Sequence, residues 1–251
     1  LKPFFQSYDM RPDHTEEWRA EQARIMTPLA LAHYAPRNPQ EALQGETGTL
    51  IYPMYDPARH LRNNPCEWKD YTRRYAAIDL GGTDPTAAVV SGLYRGGTIQ
   101  HHALFWRAGG SGTTFSDIVA WLYGWHRQAP FRTVIIDPPF DDLVHELRAH
   151  GFNAKGRSRD KWAGIDKVAD MLGNGIMYHD TSMEAQVTRE YRSYRSRERL
   201  DPYSRERYQT ATPIDHHADT LDCIRYVVME ALADGFIYQR EPVLVQMEWR
   251  G

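Results

Sequence analysis

Cysteine is almost missing from this chain. The two that occur, Cys66 and Cys223, lie far apart and belong to no CxxC or Cys/His metal spacing. A disulfide-dense scaffold and a thiolate zinc site are thereby excluded, and a reduced, intracellular protein is the simplest reading. Long apolar runs are missing too: no stretch of 18 residues is hydrophobic enough to read as a membrane span. Leu1 is followed by polar residues rather than an apolar leader core, and the absence of an initiator Met reads as a piece of a longer protein. No GxxxxGK[ST] string occurs, so ATP binding through a P-loop is not expected. Excess charge of either sign is absent, with a formal net charge of -3, and lysine is scarce. The basic side chains are 25 Arg against 5 Lys, and seven of those Arg fall between positions 189 and 207. Guanidinium groups suit bidentate phosphate contacts, so the local cluster says more than the net charge does.

What is present suffices for a globular core. The 251 residues are 41% hydrophobic and 25% charged, enough for one substantial domain with a smaller appendage. Residues 1–70 read as a linker or arm. They carry a helix over 15–34, opened by a Thr15 cap and breaking near Pro28, then a loop marked by Pro36, Asn38 and Pro39. Residues 71–240 read as an α/β domain, and 241–251 as a tail. Three strands at 75–80, 86–94 and 98–106, separated by tight turns, predict an antiparallel meander. A helix over 114–128, a buried-type strand over 131–136 and a helix over 140–150 follow. Next come a short strand at 152–155, a helix over 161–173, a strand near 175–179 and a helix over 182–195. Residues 197–212 are polar, either irregular or a hairpin, and a last helix spans 219–233. This order predicts an α/β, ribonuclease H-like mixed sheet, a three-strand meander plus parallel strands, flanked by helices.

Acidic residues sit at telling places in that order. Asp79 ends the first strand and Asp137 the fourth, where side chains of neighbouring strands converge. Asp219 and Asp222, spaced i, i+3 at the start of the last helix, share one helical face near the favourable end of the dipole. Phosphodiester hydrolysis needs phosphoryl charge neutralised, a water ionised and a leaving oxygen stabilised. Two hard divalent ions on carboxylates meet all three needs. Each Asp alone has a plainer reading as turn former, strand stop, cap or solvated residue; their coincidence favours a metal site. His217 is a further candidate for orienting water or the leaving group, against the plainer reading of an exposed histidine near a cap. Arg192, Arg195, Arg197, Arg199, Arg205 and Arg207, interleaved with tyrosines, form a candidate basic flap for the DNA backbone. Lys155, Arg157, Arg159 and Lys161 form a second basic stretch. Both compete with the reading of a solvated charge run.

The strings YAAIDLGGTDPTAAVV (75–90), TVIIDPPFDDLVHELRAHGFNA (133–154) and HHADTLDCIRYVV (216–228) resemble the nuclease domain of phage terminase large subunits. Residues 161–194 resemble that family's stretch before its last acidic motif. Residues 36–53 resemble the passage leading from the packaging ATPase into the nuclease. The resemblance implies a metal-dependent endonuclease that cuts concatemeric double-stranded DNA with low sequence specificity, using Mg²⁺ or Mn²⁺ as two ions. It implies Asp79 and Asp137 as the strand acids, Asp219 as the preferred third ligand, and Asp222 as a second ligand or support. For the full-length protein it implies a packaging ATPase domain, a small terminase subunit and a portal as partners, in the host cytoplasm, without a membrane. Rival readings are a transposase, integrase or resolvase of the same fold, a non-catalytic DNA-binding module, and an actin-like sugar kinase suggested by DLGGT (79–83). The kinase would need a duplicated domain and a second phosphate loop, and neither is visible.

Overall fold

The computed structural model describes residues 15–25, 50–95, 97–137, 140–156, 160–200, 207–213 and 218–236. They fall into two compact units, one from within 1–50 and 195–214, the other from within 51–194 and 215–251.

The larger unit is built on a six-stranded sheet. Its strands are β1 (Arg73–Asp79), β2 (Thr86–Tyr94), β3 (Thr98–Arg107), β4 (Thr133–Asp137), β5 (Ala154–Gly156) and β6 (Met177–His179), in the order β5-β4-β1-β2-β3-β6. β1, β2 and β3 form the antiparallel meander, while β4 joins β1, β5 joins β4 and β6 joins β3 in parallel. This is the mixed ribonuclease H-like sheet that the element order predicts. β1 reads as a continuous buried run, Tyr75 to Ile78, because both faces of the sheet are covered.

Alternation sorts the side chains by face. Tyr75, Ala77 and Ile135 pack with α5 (Lys161–Gly173), α6 (Glu184–Ser193) and α7 (Asp219–Ala233), which supply Ile165, Val187, Ile224 and Val228. Ala76, Ile78, Val134 and Ile136 face the other way, onto α3 (Phe115–His126) and α4 (Asp141–Ala149) through Ile118, Leu122, Leu143 and Leu147. α3 begins where expected because Thr114 and Asp117 form a reciprocal capping box.

Residues 51–70 of the expected 1–70 arm belong to this same unit. Tyr52 lies edge-on to Tyr191, and Tyr55 stacks on Tyr191 at 4.0 Å between centroids. The short helix α2 (Pro57–His60) buries His60, and Trp68 donates from Nε1 to the Ala129 carbonyl at 3.1 Å. Both cysteines are free, Cys223 buried and Cys66 partly so. No described helix is long and apolar enough to cross a membrane.

In the smaller unit, α1 (Glu16–Ile25) is opened as expected, with Thr15 Oγ1 accepting from the Trp18 amide at 3.2 Å. Residues 26–34 of the expected helix lie outside the described residues. β7 (Ser196–Leu200) and β8 (Arg207–Pro213) pair antiparallel, so the polar stretch 197–212 takes the hairpin option.

Candidate active site

Asp79 and Asp137 are register partners on the adjoining parallel strands β1 and β4. Neighbouring strands lie ~4.8 Å apart, and paired residues point to the same face. That face is the one covered by α7, since both residues continue the Tyr75–Ala77 and Ile135 alternation. β1 stops after Asp79 because the chain turns sharply. A Cβ on Gly81 would meet the Asp84 and Pro85 carbonyl oxygens at 2.2 Å, and Thr86 Oγ1 bonds back to the Gly81 carbonyl at 3.0 Å. Gly81 of DLGGT therefore serves the β1–β2 turn.

α7 brings the remaining acids. Asp219 is its first residue and Asp222 lies in its first turn, behind an Ala218 cap that offers no side-chain acceptor. Among the described residues, no three His, Cys, Asp or Glu side chains are gathered closely enough to hold a metal as they stand. Asp222, 9% exposed, is engaged by Arg225, with Nη2 3.0 Å from Oδ1, and by Lys161 Nζ at 3.7 Å from Oδ2. Arg225 is itself 3% exposed, lies over the Tyr226 ring, and passes Gly164 so closely that a Cβ there would meet its Cγ at 2.5 Å.

The electrostatics mark Asp79 as the uncompensated charge. Burial, then the carboxylates of Asp222, Asp219 and Asp137, push it up to about 8, with Arg225 opposing. Asp137 is raised by burial, while the Tyr226 hydroxyl and Arg225 hold it back. Four carboxylates thus act on one another at the C-terminal ends of β1 and β4. A hard divalent cation fits this donor set: all donors are carboxylate oxygens, and among the described residues no cation is ion-paired with Asp79 as Arg225 is with Asp222.

The other sequence-level candidates are distributed differently. Arg192 is exposed on α6, in an open groove with Thr181, Thr188 and Arg189. Arg195 is buried, 7% exposed. Arg197 and Arg199 lie on β7 and Arg207 on β8. His217, Arg157, Arg159 and Arg205 lie outside the described residues. Lys155 is committed to Glu230 at 2.5 Å, and Lys161 to Asp222. Both lysines of that stretch are thus acid-paired and partly exposed.

Sequence reasoning missed Glu190. It is fully buried on α6. Its carboxylate accepts from Thr220 Oγ1 and Gln186 Nε2, each at 2.6 Å, and from the Leu221 amide at 3.0 Å. Burial raises it to about 7 against those three donors, with Asp219 adding to the rise. A glutamate in a run of Arg and Tyr carries no signal of this in sequence. Arg225 carried one, its i+3 spacing from Asp222.

No protein-family model matches the chain, and no curated protein matches it in sequence. Solved structures do resemble it. The large terminase of a thermophilic bacteriophage superposes with a TM-score of 0.62 at 21% identity, over 90% of this chain and 54% of that one. The P22 large terminase nuclease domain gives 0.53 at 16% identity, over 72% of this chain and 91% of that one. The nuclease domain of the bacteriophage SPP1 large terminase, solved with bound Mn, gives 0.50 at 13% identity, over 68% and 94%. The chain spans about half the length of the thermophilic phage protein. These likenesses show that the chain shares the ribonuclease H-like fold of large-terminase nuclease domains.

Proposed function

We propose that this chain is the nuclease portion of a phage terminase large subunit, a metal-dependent endonuclease that cuts concatemeric double-stranded DNA with low sequence specificity. The observation that carries the reading is the pairing of Asp79 with Asp137 close to the acidic first turn of α7, where burial and three neighbouring carboxylates outweigh Arg225 in raising Asp79. Support comes from the shared fold and from the Mn bound in the SPP1 domain.

In this reading Asp79, Asp137 and Asp219 supply oxygens to Mg²⁺ or Mn²⁺, as two ions. Asp222 is the supporting acid, held by Arg225 and Lys161. The ions, when bound, supply Lewis acidity for ionising water and stabilising the leaving oxygen. The α7 N-terminus favours the anionic forms of Asp219 and Asp222. Tyr226 and Arg225 hold charge on Asp137. Exposed Arg192 and the arginines of the β7–β8 hairpin contact the phosphate backbone, which positions DNA without reading its sequence. In the longer protein, the partners are a packaging ATPase domain, a small terminase subunit and a portal, within the infected host's cytoplasm.

Plasmid cutting with Mn²⁺ or Mg²⁺ tests this. The parent chain should cut, EDTA should stop it, and Asp79→Ala and Asp137→Ala should abolish it with the fold intact by circular dichroism. Cutting that persists in EDTA or in Asp79→Ala would sink the proposal.

A further inference from the structure

α7 begins without a cap of its own. Ala218 stands at the cap position with no acceptor side chain, and it is buried, so solvent is poorly placed to satisfy the first amides. The missing acceptor comes from another helix. Glu190, on α6, takes the Leu221 amide with Oε2 and the Thr220 hydroxyl with Oε1. Gln186, one turn earlier on α6, donates to the same Oε1 and fixes the carboxylate. Thr220 and Leu221 are the two residues between Asp219 and Asp222. The buried carboxylate therefore grips the backbone and side chain of the two residues that lie between both acids.

We infer that Glu190 is a positioning residue for the proposed active site, acting as a cap supplied in trans by α6 that sets the height and rotation of the first turn of α7. The inference rests on the reading of Asp219 as a metal-binding acid. A carboxylate is suited to the task because it accepts from two or three donors at once, where an amide side chain accepts with a single oxygen. Groups that orient a metal's ligands change metal affinity by about 10- to 100-fold when removed.

The test uses the 251-residue chain and compares Glu190→Ala, Glu190→Gln and Thr220→Val with the parent and with Asp79→Ala. Plasmid cutting is titrated with Mn²⁺, and amide hydrogen exchange is followed over residues 218–224 in EDTA. In Glu190→Ala the Mn²⁺ concentration for half-maximal cutting should rise by about 10-fold or more. Exchange over 218–224 should accelerate while the β1–β2 region is unchanged. Glu190→Gln should recover much of both, and Thr220→Val should give a smaller shift in the same direction. Unaltered half-saturation in Glu190→Ala overturns the inference, even if its melting temperature falls, because that is plain structural support. If the parent does not cut, or Asp79→Ala still does, the nuclease reading fails. The positioning role falls with it, and the exchange arm then decides the cap alone: acceleration confined to 218–224 supports it, and unchanged protection overturns it. Should Glu190→Ala not fold, Thr220→Val carries the comparison: a raised Mn²⁺ requirement with faster exchange over 218–224 supports the inference, and parent values for both overturn it.

Discussion

Asp79→Asn isolates the charge on which the site depends. Asp79 is raised from 3.8 to about 8 by burial and by three neighbouring carboxylates. A group whose pKa is raised on folding contributes stability that is full below its unfolded value and lost as pH climbs through the folded value. Without metal, the parent should therefore lose stability between pH 5 and pH 8 relative to Asp79→Asn, which carries no charge at any pH. Each unit of pKa difference corresponds to about 1.36 kcal/mol, so three pH units give about 4 kcal/mol. Asp79 keeps some solvent contact, which makes that an upper bound. Urea unfolding in EDTA at pH 5, 6, 7 and 8 reads the difference directly. The variant should be the more stable protein at pH 8 and should bind no Mn²⁺. A parent-minus-variant difference that stays flat across this range would refute the claim that Asp79 is an uncompensated carboxylate among like charges.

Other consequences follow from the same geometry. Mn²⁺ should raise the parent's melting temperature more at pH 8 than at pH 6, because binding must displace the Asp79 proton; equal shifts, read by differential scanning fluorimetry, would contradict this. Gly164→Ala places a Cβ 2.5 Å from Arg225 Cγ. It should destabilise by about 1–3 kcal/mol in urea unfolding and weaken cutting, as Arg225 is pushed from Asp222. His101 and His179 are buried and stacked at 4.9 Å, and burial drives His101 down to about 3. A depressed histidine stabilises fully above its unfolded value of about 6.5 and less as pH falls toward 3. His101→Gln should flatten that acid arm of the stability curve. Arg192→Ala should weaken DNA binding equally across sequences and reduce the slope of log affinity against log salt by about 1, measured by fluorescence anisotropy.

The order of strands and helices was legible because each element carries its own period and its own punctuation. The Thr114–Asp117 capping box, the glycine turn after Asp79 and the two-faced apolar run of β1 are local signals, and local chemistry decides them. The acids too were legible, since a strand end and a helix start are readable positions. Four things required the tertiary structure. The register that sets Asp79 beside Asp137 depends on β4 adding to β1 across more than fifty residues. The ion pairing of Asp222 depends on where Arg225 and Lys161 fall once α5 and α7 pack together. Lys155 and Lys161 look in sequence like free basic residues, yet their acidic partners lie 75 and 61 positions away. Glu190 is lost in a run of Arg and Tyr until α6 meets the start of α7. The physical reason is common to all four: propensity and periodicity act over one or two turns, whereas charge pairing, burial and hydrogen-bond satisfaction are set by whichever groups the fold brings within a few ångströms.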